Sequence, residues 1–228
     1  MGAAVPKALV PLAGRPLVCW AVDTLRAGGV TEVVVAAPGA DRSAFAAVLP
    51  DDVVLVDGGP TRTASVRAAL TAAGGAADVV LVHDAARPLT PPDVVRRVLD
   101  ALAGGVRAVV PVLPVIDTTV AVGADGLITG ALPREQIRRV QTPQGFHRAT
   151  LVEAYGRLPA SAELTDDAAV VHTAGVRVAT VAGDERAAKV TVAHDLALAE
   201  LIAAGAGERP AERPGTPADD RSESGAGS

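Results

Sequence analysis

The stretch Val79-Val80-Leu81-Val82-His83-Asp84-Ala85-Ala86-Arg87-Pro88 decides the fold. Four unbroken apolar residues lead straight into a carboxylate and a guanidinium three residues apart, and a proline closes the stretch. Continuous rather than alternating apolarity marks a strand covered on both faces, as in a parallel sheet. Runs of the same kind lie at Val33 to Ala37, Val53 to Val56, Val109 to Leu113 and Arg177 to Val181. Between and around them, Pro16 to Ala27, Ala40 to Leu49, Thr63 to Ala73, Pro92 to Ala103, Ala149 to Leu158, Asp166 to Ala174 and Ala193 to Ala204 read as helices. Pro92 to Ala103, with Val94, Val95, Val98, Leu99 and Leu102 on one face and Gly104-Gly105 after it, is the clearest. Strand and helix alternate with short connections, so the expected fold class is α/β, a doubly wound, mostly parallel, Rossmann-like sheet.

One segment breaks the alternation. Between Asp117 and Phe146 there is no amphipathic helix. Thr118 to Val122 and Leu127 to Thr129 flank Ala124-Asp125-Gly126, a hairpin signal, and Arg134 to Gln144 is polar and basic. We read 117–146 as a β-arm projecting from the domain onto a partner subunit. From Gly205 the chain turns to Gly, Pro, Ser, Glu, Asp and Arg. The expected organisation is a domain over 1–204 and a disordered tail over 205–228.

Composition narrows the chemistry. The 228 residues are 49% hydrophobic and only 2% aromatic: Trp20, Phe45, Phe146 and Tyr155. Val, Leu and Ala must therefore build the core, and aromatic platforms for stacking nucleic-acid bases are missing. A net charge of −5 also argues against a polyanion partner. The lone cysteine, Cys19, cannot form an internal disulfide or a thiolate metal cage, which suits a reducing cytoplasm. No apolar run is long enough for a membrane span, and no secretory signal follows Met1. Of 21 basic residues only two are lysines, Lys7 and Lys189. Where arginine replaces lysine almost everywhere, the two survivors mark places that need a compact ammonium.

Ligands of doubly wound sheets bind at the carboxyl ends of the strands. There the second run ends in Asp57-Gly58-Gly59-Pro60-Thr61-Arg62-Thr63-Ala64-Ser65. Glycines let a ligand approach the backbone, and the hydroxyls sit where a helix start offers free N–H groups. After the third run, Asp84 suits Mg²⁺, directly or through water, and Arg87 suits a phosphate. His83 reads as a packed residue. Asp117-Thr118 follows the fourth run and Lys189 the fifth, while Lys7 stands near the start. With Arg134, these loops read as a site for a phosphate-rich substrate neutralised by cations and Mg²⁺. No Walker A or G-x-G-x-x-G pattern is present, and the four histidines are scattered.

Several motifs in order resemble the 2-C-methyl-D-erythritol 4-phosphate cytidylyltransferase family. They are Pro6-Lys7-Ala8-Leu9, Asp57-Gly58-Gly59 with Arg62 and Ser65-Val66, Val82 to Pro88, Asp117-Thr118, Arg134, Gln141-Thr142-Pro143-Gln144, Thr165-Asp166-Asp167 and Lys189-Val190-Thr191. The resemblance implies a nucleotidyltransferase-type fold, Mg²⁺ dependence, and CTP and a sugar-alcohol phosphate as partners. It implies that Lys7 and Lys189 neutralise phosphates in the transition state, and that Gly59 and Ser65 read the cytosine. Asp84 would bind nucleotide and metal. Arg87, Thr118, Arg134, Thr142 and Thr165 would bind the acceptor, with Arg134 and Thr142 reaching it across a homodimer interface made by the arm. Ribitol 5-phosphate is the alternative acceptor, and a non-catalytic nucleotide-binding subunit is the alternative role.

Two departures from the family pattern carry expectations. Family members have a strand and a glycine-rich loop, A-A-G-x-G-x-R, ahead of the segment matched from Met1 onwards. The resemblance thus implies that Met1 corresponds to an internal position, and that the sheet and nucleotide site need a further strand and loop. The family also often has Asn two residues before the second lysine, where this chain has Ala187.

Overall fold

The computed structural model describes residues 5–75, 77–159, 164 and 166–207. Its strands are β1 (Pro11–Leu12), β2 (Arg15–Pro16), β3 (Val34–Ala37), β4 (Val54–Asp57), β5 (Val79–Val82), β6 (Ala108–Pro114), β7 (Thr119–Val122), β8 (Ile128–Leu132), β9 (Arg138–Val140), β10 (Gln144–His147) and β11 (Ala179–Ala182). Its helices are α1 (Leu17–Ala27), α2 (Arg42–Ala46), α3 (Arg62–Ala72), α4 (Pro92–Ala103), α5 (Arg148–Arg157), α6 (Asp167–Thr173) and α7 (Ala193–Gly207). The apolar runs form β3, β4, β5, β6 and β11, each close to its expected bounds.

The main sheet has the order β11-β6-β10-β5, with β9 on the end of β6. β11 runs parallel to β6, and β10 runs antiparallel to both β6 and β5. It follows that β5, β6 and β11 point the same way. β3 and β4 form a separate parallel pair. Arg62, just past the carboxyl end of β4, reaches Asp84, just past the carboxyl end of β5. The strand ends of both sheets therefore gather on one side. Helices cover the sheets, giving the expected α/β, mostly parallel architecture.

Among the described residues the two sheets are not joined. Between β3 and β5 lies an apolar slot of about 360 Å³, lined by Val34 to Ala36 on one side and Val79 to Val82 on the other. Among the described residues, neither facing edge has a strand partner. Open edges of this kind leave backbone N–H and C=O groups without ladder partners.

β10 corrects the expected arm. Residues 144–147 do not project. They form a strand in the middle of the main sheet that runs against both of its neighbours. Phe146 is fully buried there, with Leu151, Tyr155, Val170 and Val171 around it. Gly145 allows α4 to lie directly over the strand: a Cβ at this position would stand 2.4 Å from Val98 Cγ1. The polar and basic character of 134–144 had hidden a short strand behind its neighbours. The part that stays off the main sheet is 117–137, built on the β7–β8 hairpin, which pairs only with itself and carries a register shift at Ala121/Val122. At the other end α7 continues to Gly207, past the expected boundary at Ala204. The expected tail from 208 onwards lies outside the described residues. Among the described residues no helix is long and apolar enough to cross a membrane.

Candidate active site

Asp84 is the centre of the site. β5 ends one residue before His83, and a turn from Asp84 to Arg87, closed by Arg87 N–H donating to Asp84 O at 2.9 Å, aims both side chains outward from the strand end. The Asp84 side chain is only 18% exposed, yet three cations surround it. Lys189 Nζ stands 3.0 Å from Oδ2, Arg87 Nε 3.7 Å from Oδ2, and Arg62 Nε 3.8 Å from Oδ1. Burial pushes the Asp84 pKa up, but Lys189 and then the two arginines outweigh it and hold it below the usual carboxylate value. The carboxylate is therefore charged at neutral pH.

The β4–α3 loop forms the neighbouring wall. Thr61 caps α3, its Oγ1 accepting from Ala64 N at 3.1 Å. Ser65 Oγ accepts the Gly59 N–H at 3.1 Å and donates to Thr61 O at 2.9 Å. Gly59 is required by packing: a Cβ there would lie 2.3 Å from Ala64 Cβ. Gly59 and Ser65 thus face each other at the mouth of the loop, and Ser65 and Asp84 both border the slot between β3 and β5.

The lysines converge although 182 positions separate them. Lys7 Nζ donates to Thr191 O at 3.2 Å, and Thr191 is two residues from Lys189. Asp195 fixes that loop by accepting from the backbone N–H groups of Thr191 and Val192 at 2.7 and 3.0 Å. Arg87 is tied to backbone carbonyls, with Nη1 2.7 Å from Ala187 O and Nη2 3.4 Å from Val140 O. At the position where the family often has Asn, Ala187 thus anchors Arg87 through its carbonyl, while the Asp184 side chain is engaged by Arg186.

Thr142 lies beneath Asp84. Its Oγ1 accepts the Asp84 N–H at 3.0 Å and lies 3.0 Å from His83 Nδ1. Seven expected residues therefore come together within one chain: Lys7, Gly59, Ser65, Asp84, Arg87, Thr142 and Lys189. Thr142 corrects the expectation that it reaches across an interface, because it leads into β10 in the main sheet and is buried against Asp84 of its own chain. Two expected residues do not join this group. Thr118 and Arg134 are exposed on the 117–137 segment, where Arg134 pairs with its neighbour Glu135 at 3.5 Å. Thr165 lies outside the described residues. Arg62, by contrast, enters the site although its motif position alone gave it no role. α3 begins at Arg62, one residue before the expected Thr63, and the reach of Arg62 to Asp84 depends on how α3 packs against the sheets.

His83 is half-buried with its Nε2 shielded from solvent, and that desolvation lowers its pKa to about 4. It is neutral at neutral pH, as a packed histidine should be. An unfolded chain binds its proton near pH 6.5, so between about 6.5 and 4 the unfolded state holds more protons than the folded one. Stability therefore rises with pH across that window and levels off above it. The full difference is about 3 kcal/mol. Chemical denaturation at pH 7.5 and 4.5 should show a drop of that order, and His83→Gln should remove most of it. An equal drop in the variant would rule out His83 as its source.

Among the described residues no group of three His, Cys, Asp or Glu side chains is placed to hold a metal ion. Mg²⁺ carried by a substrate's phosphates needs only one or two protein carboxylates. The single charged carboxylate of Asp84, amid cations suited to phosphate, fits an ion of that kind.

A mostly parallel α/β sheet with a carboxylate, two lysines and two arginines at its strand ends defines a protein of nucleotidyltransferase type. Residues 1–205 match the family model of 2-C-methyl-D-erythritol 4-phosphate cytidylyltransferase. The chain is 47% identical to the protein of that name from Frankia casuarinae, over 90% of this chain and 76% of the relative. It is 48% identical to the one from Nocardia farcinica, over 89% of this chain and 87% of the relative. The crystal structure of the Thermus thermophilus enzyme of the same name superposes with a TM-score of 0.75 at 41% identity, covering 87% of this chain and 94% of that one. The chain belongs to the 2-C-methyl-D-erythritol 4-phosphate cytidylyltransferase family.

Proposed function

We propose that this chain transfers the cytidylyl group of CTP to 2-C-methyl-D-erythritol 4-phosphate and releases pyrophosphate, a step in isoprenoid precursor biosynthesis. The observation that carries this reading is the ring of cations around a shielded, charged Asp84 at the strand ends. An oxygen of the acceptor phosphate attacks the α-phosphorus of CTP in line, and pyrophosphate leaves. Both reactants are anions, so their mutual repulsion is the main barrier. Positioning and electrostatic stabilisation carry such a reaction without a covalent intermediate.

Lys7 and Lys189 neutralise charge that builds on the phosphates. Gly59 and Ser65 read the cytosine edge, for which the mutual Gly59–Ser65 hydrogen bond must be exchanged for one to the base. Asp84 would hold Mg²⁺, which when bound supplies further charge neutralisation on the phosphates. Arg87 and Thr142 define the acceptor side next to Asp84, and Thr165 is a further acceptor-binding residue. Thr118 and Arg134 serve the acceptor of a second copy, delivered by the arm. The exposure of Ile116, Leu127 and Ile128 on and beside the hairpin supports a homodimer formed through this arm. The lone buried Cys19 supports a cytoplasmic setting.

The test is pyrophosphate release with CTP, Mg²⁺ and methylerythritol 4-phosphate, with ribitol 5-phosphate in parallel. The open slot between β3 and β5 motivates a second arm, in which the chain is extended at its N-terminus by an apolar strand and an A-A-G-x-G-x-R loop. Release with methylerythritol 4-phosphate by either form upholds the reading. Release with ribitol 5-phosphate alone replaces the acceptor. Silence of both forms with both acceptors moves the reading to a non-catalytic nucleotide-binding subunit.

A further inference from the structure

Behind the site lies a buried charge that the proposed chemistry does not use. Asp167, the first residue of α6, has no exposed surface. Its Oδ1 accepts from the Tyr155 hydroxyl at 2.5 Å, and its Oδ2 accepts from Arg62 Nη2 at 2.5 Å. Tyr155, on α5, is itself only 3% exposed, and Arg67 lies over its ring at 5.3 Å. Gln144, from β10, fixes the start of α6: its Oε1 accepts from the N–H groups of Asp167 and Ala168, and its Nε2 donates to Asp166. A carboxylate in such surroundings is costly unless it is paired and hydrogen-bonded, and apolar side chains of equal volume often stabilise a core at least as well. Its use must therefore be sought in what it holds.

What it holds is Arg62. This arginine spans two carboxylates, with Nη2 on buried Asp167 and Nε 3.8 Å from Asp84. Burial works to lower its pKa, but Asp167 and then Asp84 outweigh it, so the guanidinium is firmly charged. A free arginine beside Asp84 has many rotamers and would fold down onto the carboxylate as a fork. Anchored at one end, it stays at a fixed distance and leaves Asp84 Oδ1 without a direct hydrogen bond from it. We propose that Tyr155 and Asp167 are positioning residues for the active site, which hold Arg62 as a fixed cation beside Asp84 and so keep that carboxylate available to the substrate's metal and phosphates.

The inference rests on the proposed cytidylyl transfer, and its test separates the two. Tyr155→Phe removes one oxygen and little volume. Asp167→Asn removes the charge. In an otherwise unchanged chain, Tyr155→Phe should lower kcat about 3- to 10-fold and Asp167→Asn about 10- to 100-fold, with the KM for CTP changed less than kcat. In an Arg62→Ala background both losses should vanish, because the pair acts only through that side chain. A merely structural role would lower the melting temperature and leave kcat of the folded protein alone, or would give the same loss with and without Arg62. Either result overturns the proposal. If Asp167→Asn does not fold, Tyr155→Phe decides by the same criterion. If the unaltered chain releases no pyrophosphate in either form, the functional reading fails by itself. NMR of the Arg62 guanidinium then decides the positioning claim. Slowly exchanging Nε–H and restricted Nη groups, lost in Tyr155→Phe, uphold it, and a guanidinium already mobile in the unaltered chain overturns it.

Discussion

Replacing Lys189 by alanine is expected to lower cytidylyl transfer by roughly 10²- to 10³-fold, the scale for one preorganised charge aimed at a developing anion. Among the described residues Lys189 is the cation nearest Asp84, at 3.0 Å, and its side chain is 44% exposed. Its own exposure limits what it adds to stability, while its loss leaves Asp84 with two more distant cations, so the effect should appear chiefly in turnover with a small fall in melting temperature. Without it Asp84 keeps Arg62 and Arg87 at 3.8 and 3.7 Å, too far for either to take its place. Lys7→Ala should lower turnover by roughly 10²-fold or more for the same reason. Lys189→Arg should not restore the rate, because a planar fork cannot occupy the position of a compact ammonium. Steady-state kinetics on purified variants checks this. Unchanged turnover in Lys189→Ala would remove the lysine from the mechanism, and a matching fall in melting temperature would make its role structural.

The second large effect is on stability. Phe146→Ala should destabilise the fold by about 3–5 kcal/mol, the usual cost of deleting a buried aromatic side chain. Phe146 has no exposed surface and stands where β10 meets α5 and α6, among Leu151, Ala154, Val170 and Val171. These neighbours are held by their own helices and cannot close the gap fully, so a cavity term adds to the lost burial. Total stabilities are on the order of 5–15 kcal/mol, so the variant should unfold well below the temperature of the unaltered chain. Urea denaturation measures the difference. A change under about 1 kcal/mol would mean that Phe146 is not in the core and that β10 does not occupy the middle of the sheet.

That strand is also where reading the residues one by one fell short. The clearest helices were legible because they carry an apolar stripe at helical spacing with a glycine or proline nearby, as Pro92–Ala103 does between Pro91 and Gly104. The strands β3, β4, β5, β6 and β11 were legible as β-branched runs. β10 reads Gln144-Gly145-Phe146-His147, with a single large apolar residue. Its polar Gln144 is buried because its amide oxygen and nitrogen are both engaged at the start of α6, a partner 22 residues away. No local pattern announces such a residue. The site divides in the same way. Asp84, Arg87 and the glycine loop declared themselves by standing at strand ends, and the two lysines by their rarity. The role of Arg62 did not, because it depends on a carboxylate 105 positions distant.

By itself the sequence determined the class of fold, most element bounds and the family, and it pointed to the residues of the candidate site. Each of these rests on patterns a few residues long, or on residue types that suit one kind of ligand. Tertiary structure alone decided that β10 enters the sheet against the direction of its neighbours, that an apolar slot separates β3 from β5, and that Lys7 meets the Lys189 loop. It alone decided that one buried carboxylate steadies Arg62 beside Asp84. These are contacts between groups far apart in the chain. Their energies come from burial and from charge at short range, and neither is defined until the elements have packed.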